Sequence, residues 1–175
     1  MKKLFEICFF LISLFGLSCN ESKRLDQKIV ETTKRDKLVE KYNLLNFHSS
    51  TEPIYISVDE FFDGNNDLAS IAPNINVRPT NKQYWEKLIE LKKNKNIIEI
   101  RIPIKDINIY ENSKLDLNEW LYTDEISFVT SFGEQEIKEL TKILQPDQIY
   151  KDTTTNLLHK KTNYKGLNVI TIWWD

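Results

Sequence analysis

Cysteine is nearly missing from this chain: there are two, Cys8 and Cys19, and both fall within the first nineteen residues. Disulfides, cysteine nucleophiles and cysteine-ligated metals are therefore excluded from everything that follows. Histidine is as scarce, with only His48 and His159. A zinc site usually takes three or four nitrogen or sulfur ligands, so these two would need carboxylates to complete one, and ordinary exposed histidines are the simpler reading. Of the four glycines, Gly64, Gly133 and Gly166 stand far apart. No glycine-rich phosphate loop can be built from them, and no nucleophile elbow surrounds any serine. The remaining composition, 41% hydrophobic and 29% charged over 175 residues, suits one modest folded domain and no cofactor-binding fingerprint.

The N-terminus carries an address. Lys2 and Lys3 precede an apolar run from Ile7 to Leu17, too short for a bilayer core of about 30 Å, which takes roughly 20 helical residues. Residues 1–18 read as a secretory signal. The stretch Phe15-Gly16-Leu17-Ser18-Cys19 resembles the lipobox of bacterial lipoproteins. That resemblance implies cleavage after Ser18, acylation of Cys19 and retention on a membrane, since each buried methylene adds about 0.8 kcal/mol. Asn20 stands where an inner-membrane retention signal would have Asp, so in a double-membraned bacterium the resemblance implies the outer membrane.

Charge divides the rest. Residues 20–46 carry seven basic against five acidic side chains, whereas residues 52–175 carry 15 against 20. The composition shift marks residues 19–52 as a lipid anchor with a charged, partly helical tether next to the membrane, and residues 53–175 as the folded domain. The acidic domain and the export signal both disfavour nucleic acid as a partner.

Within the domain the hydrophobic period changes several times. Ile54, Ile56 and Val58 alternate with polar positions as in a strand, and so do Ile98, Ile100, Ile102 and Ile104. Pro103 interrupts the second run; proline cannot donate to a ladder, which predicts an edge strand. Between them, Thr80 precedes a helical stripe of Tyr84, Leu88 and Leu91, flanked by Trp85 and Ile89, over 82–95. Ile126, Phe128 and Thr130 mark a third strand. Ser131 with Glu134 fits a capping box for a helix bearing Ile137, Leu140, Thr141 and Leu144, stopped by Pro146. Leu167 to Trp174 is a last strand, apolar on both faces.

The order β-α-β-β-α-β predicts an α+β domain of ferredoxin-like topology: an antiparallel sheet with two helices on one face. In that topology the first two strands run the same way, as do the last two. The long connections 59–79, 105–124 and 145–166 would then share one end of the sheet, away from the tether. Connections near twenty residues are unusual, and loops of that length often carry function.

Asp59, Glu60, Asp63 and Asp67 form an acidic run. Asp63, Asn65 and Asp67 imitate the first ligands of a calcium loop, but Leu68 and Asn74 occupy the positions that need glycine and an acid. A short helix ending near Phe62, stopped by Gly64 and followed by a turn held by Asn and Asp side chains, explains the run without a metal. Trp120 with Asp124 suits a partner anchor, because tryptophan often dominates interface energetics, and it suits a core cap equally well.

The run Ile56-Ser57-Val58-Asp59-Glu60-Phe61-Phe62-Asp63-Gly64-Asn65, then Trp120 and Asp124, then Leu144-Gln145-Pro146-Asp147 and the ending Trp173-Trp174-Asp175 resemble a family of small uncharacterised bacterial proteins over most of 54–175. The resemblance brings no established activity. The sequence reading is a membrane-anchored, non-enzymatic binding module for an envelope protein or peptide, an immunity or inhibitor role among the options. Its candidate contact residues are Asp63, Asn65, Asp67, Trp120 and Asp124; it needs no cofactor and no metal. The rival reading is an envelope hydrolase using loop carboxylates with a divalent cation.

Overall fold

The computed structural model describes residues 32–46, 53–75, 77–105, 109–110, 114–115, 119–153, 164 and 166–175. The expected signal at 1–18, Cys19, most of the expected tether, His48 and His159 lie outside the described residues.

The architecture is α+β. Helix α1 covers 32–41 and is followed by a 3-10 turn, Leu44–Asn46. Strand β1 (Ile54–Ser57) leads into the short helix α2 (Val58–Phe62), and α3 (Asn81–Leu91) precedes β2 (Ile97–Ile104). A small hairpin of β3 (Ile109–Tyr110) and β4 (Lys114–Leu115) comes before β5 (Glu125–Thr130). Helix α4 (Glu134–Thr141), extended by a 3-10 turn to Leu144, leads to β6 (Gln148–Lys151), and β7 (Asn168–Trp173) ends the chain.

The main sheet has the order β1-β2-β5-β7-β6, with every neighbouring pair antiparallel. This differs from the ferredoxin-like expectation, in which β1 and β2 run the same way. The reason lies in the β1–β2 connection. A single helix would carry the chain across the sheet once and deliver a parallel strand. Here the chain crosses twice. It leaves β1 through α2 and reaches the opposite end, where Ile71 bridges Thr123 and Ala72 N–H donates to the Thr123 carbonyl at 3.3 Å. It then returns through α3, so β2 starts near where β1 stopped and pairs with it antiparallel. Only β5-α4-β6 is a one-helix crossover, and it yields strands of the same direction with β7 between them.

The three long connections are consequently divided between both ends of the sheet, and the common loop pole expected from the sequence does not form. The 59–79 connection traverses the sheet, and 105–124 lies at the far end with Pro53. The third is interrupted by β6: Asp147 N–H donates to the Trp173 carbonyl at one end, and Asp152 N–H to the Val169 carbonyl at the other. β6 was invisible in the sequence because Gln148, Tyr150 and Lys151 are polar or amphipathic and only Ile149 packs on the core.

Strand β2 is interior in the sheet, contrary to the edge position that Pro103 predicted. The proline is tolerated because the ladder with β5 ends at Arg101, while β1 continues to pair up to Ile104. At Pro103 the strand has a single partner, so its local surroundings are those of an edge.

Side chains alternate as a pleated sheet requires. Ile56, Ile100, Ile102, Ile104, Ile126, Phe128, Ile170 and Ile172 form one buried cluster. To it are added Phe61 of α2, Tyr84, Leu88 and Leu91 of α3, and Ile137 of α4. Leu38 and Val39 of α1 and Leu44 of the following turn join the same cluster, so the packed body takes in residues that charge alone assigned to the tether. The opposite sheet face is polar. Ser127 and Thr171 are buried and share a hydroxyl hydrogen bond of 3.0 Å, Arg101 pairs with Glu99, and Lys105 pairs with Glu125. Val129, Val169 and Tyr164 make a small second cluster there, with Tyr164 donating to Glu99.

Candidate functional site

Local chemistry fixes the segment that joins α2 to α3. Ser57 caps α2 by accepting from the Glu60 N–H, while the Glu60 carboxylate accepts from the Ser57 N–H at 3.1 Å, a reciprocal capping box. Glu60 also receives the Lys41 ammonium and the Tyr42 hydroxyl from the α1 region. Burial alone would raise its pKa, but the hydrogen bonds from Lys41, from the Ser57 hydroxyl and N–H and from Tyr42 outweigh this and hold it down to about 2. After α2 the chain must turn back sharply. Gly64 does this at φ +88, a region closed to most side chains.

The turn beyond Gly64 is held by its own side chains, as its Asn and Asp content suggested. Asn65 Oδ1 accepts from Asp67 N–H at 3.1 Å and Asp67 Oδ1 accepts from Ala69 N–H at 2.8 Å. Asn65 Nδ2 donates to Ser70 Oγ at 2.9 Å. Asn81, the first residue of α3, points its Nδ2 at three oxygens: Asn65 O, Asn65 Oδ1 and Asp67 O, all within 3.1 Å. Asp67 Oδ2 then reaches across the molecule to accept from Trp120 N–H at 3.0 Å.

Of the five residues singled out by sequence, Asn65, Asp67 and Trp120 are thus brought into one hydrogen-bonded unit. Asn65 and Trp120 are buried, the latter only 7% exposed within the core cluster, so its ring packs and presents little surface. Asp124 sits apart, accepting from Trp173 Nε1 at 3.2 Å and, through its carbonyl, from Trp174 N–H at 3.0 Å. Asp63 stands on the surface and pairs with Lys34 of α1 at 2.6 Å.

Beside this turn lies a groove of about 490 Å³ between α2 and α3. Asp59, Phe62, Asp63 and Gly64 line one side, and Asn81, Lys82 and Trp85 the other. Trp85 is 40% exposed, which is unusual for so large a ring on a helix whose opposite stripe is fully buried. The carboxylates are exposed as well: Asp59 pairs with Lys92 at 2.7 Å, and the Asp59 and Asp63 side chains are 59% and 66% accessible. The sequence reading included Asp63 but missed Trp85 as a surface group. The available signal was its place just beside the apolar stripe of 84, 88 and 91, turned about one helical step from the core.

The model of the uncharacterized protein YfbO family matches residues 33–172. The chain belongs to that family. The match begins inside α1 and ends in β7, so it covers the sheet, all four helices and both walls of the groove. No curated protein and no solved structure matches the chain.

In this YfbO-family domain the groove brings together an exposed indole, two carboxylates and the amide groups of a hydrogen-bonded turn. Among the described residues no group of three or more His, Cys, Asp and Glu side chains stands close enough to hold a metal ion. No described helix is long and apolar enough to cross a membrane.

Proposed function

We propose that this chain is a lipid-anchored, non-enzymatic binding module that holds a protein or peptide partner at a membrane of the cell envelope. The leader and Cys19 support the anchor. The observation that carries the binding role is the groove between α2 and α3, where Trp85, Asp59 and Asp63 are exposed on a framework held rigid by the Asn65–Asp67–Asn81 hydrogen bonds. Rigid walls lower the ordering cost of association, and an exposed tryptophan supplies contact area at little entropic cost. An immunity or inhibitor role is one form of this. The rival hydrolase reading gains no support from the geometry, because Asp67 and Asp124 are engaged by Trp120, Ala69 and the C-terminal tryptophans.

Two measurements test the proposal. A Cys19→Ala variant should fail to incorporate an alkyne-tagged fatty acid and should leave the membrane fraction; unchanged labelling would remove the anchor. A photo-crosslinking residue at position 82, on the same groove wall as Trp85, should yield a discrete adduct in intact envelopes, whereas one at the exposed Ile143 should not. Equal adducts at both positions, or at neither, would remove the groove as the binding surface.

A further inference from the structure

We infer that the α2–α3 groove recognises an arginine side chain presented by an exposed segment of the partner, and that Lys34 of α1 is its competitor within the chain. The inference rests on the binding-module reading and names the ligand chemistry for the same groove.

Lys34 shows how a cation sits here. Gly64 has no side chain, and a Cβ built on it would stand 2.8 Å from Lys34 Cδ and 3.5 Å from Lys34 Cβ. The lysine stem therefore lies along the bare glycine and delivers its ammonium to Asp63 Oδ1 at 2.6 Å. Lys92 does the same for Asp59 from the far end of α3, at 2.7 Å. Both pairs are solvent-accessible, and exposed ion pairs contribute little to stability, so another cation displaces them readily.

A guanidinium offers more than either lysine. It can take a carboxylate with paired N–H groups and stack on an indole face, which an ammonium does less well. Trp85 supplies the indole and Asp59 and Asp63 the carboxylates, all around one cavity. The groove wall also holds Asn81, only 8% exposed. Its Nδ2 is fixed by three oxygen acceptors, so this part of the wall is held in place before a ligand arrives. Residues 32–175, the body with α1 included, carry 22 acidic against 19 basic side chains, which adds a small long-range attraction for a basic segment.

The test uses the full-length chain in detergent micelles and a fluorescent, acetylated and amidated arginine-rich peptide, with the citrulline peptide as neutral isostere. Anisotropy should show binding of the arginine peptide at least about tenfold tighter than citrulline, weakened by salt. Trp85→Ala and the double variant Asp59→Asn, Asp63→Asn should each lose about tenfold, and Lys34→Ala should gain several-fold, all with unchanged thermal transitions. Equal binding of the two peptides, or insensitivity to all these variants, overturns the inference. A position-82 adduct that persists in the Asp59→Asn, Asp63→Asn variant also overturns it while sparing the binding-module reading. Absence of both the adduct and peptide binding in the otherwise unsubstituted chain would remove both.

Discussion

Asn81 shows how much one side chain can fix. Its amide closes the α2–α3 turn onto the start of α3 through three oxygens, and each net hydrogen bond is worth about 1 kcal/mol. Asn81→Ala should therefore cost about 2 kcal/mol, read as a lower urea midpoint with unchanged slope. Glu60 makes a pH-dependent contribution of the opposite kind to a buried neutral acid. Its folded pKa is depressed to about 2 from an ordinary 4.5. Its stabilisation is therefore complete above 4.5 and is lost as pH falls towards 2. Melting temperature should drop across that window, and Glu60→Gln should flatten its part of the drop while lowering stability at neutral pH. Neither role was legible beforehand. The sequence placed Glu60 in an acidic run, but its partners Lys41 and Tyr42 come from a helix nineteen and eighteen residues earlier in the chain.

Among the elements, helices α3 and α4 were the most readable, since their apolar residues recur at helical spacing and remain buried. The details at the caps shifted. Thr80 caps α3 as expected, with Gln83 Oε1 accepting from its N–H at 2.8 Å. For α4 the box moved from Ser131 and Glu134 to Gly133, whose N–H is taken by Glu136 at 3.1 Å. The docking of helix α1 onto the core is the larger discovery. Arg35 is 3% exposed and donates to the Glu119 carbonyl at 2.7 Å, while Leu38, Val39 and Leu44 enter the core. Leu44→Ala should cost about 2–5 kcal/mol by cavity formation. A chain cut to begin at residue 53 should lose its cooperative thermal transition, whereas one beginning at 32 should keep it. Retention of the transition by the shorter chain would show that α1 is only an appendage. Charge balance hid this docking, because the polar face dominates the count and Leu38, Val39 and Leu44 are too few to raise mean hydropathy.

For the molecule as a whole, the C-terminus acts as a clasp. Trp174 is 1% exposed, donates to the Leu144 carbonyl at 3.0 Å and meets Tyr84 edge-on at 5.6 Å between centroids. It ties β7 to α3 and to the end of α4 at once. Deleting Trp174 and Asp175 should cost about 3–5 kcal/mol, as loss of a buried aromatic does, and calorimetry would show it as a lower transition temperature. The sequence by itself determined the α+β class, the existence of four strands near 54–58, 98–104, 126–130 and 167–174, the two long helices and the side-chain-held turn after Gly64. These follow from period, capping and turn chemistry, which act within a few residues of one another. Strand order, the direction of β2 relative to β1, the edge strand β6, the docking of α1 and the exposure of Trp85 were decided only by tertiary structure. Each depends on which distant surface is left to bury, and a double pass over the sheet uses the same local pattern as a single one.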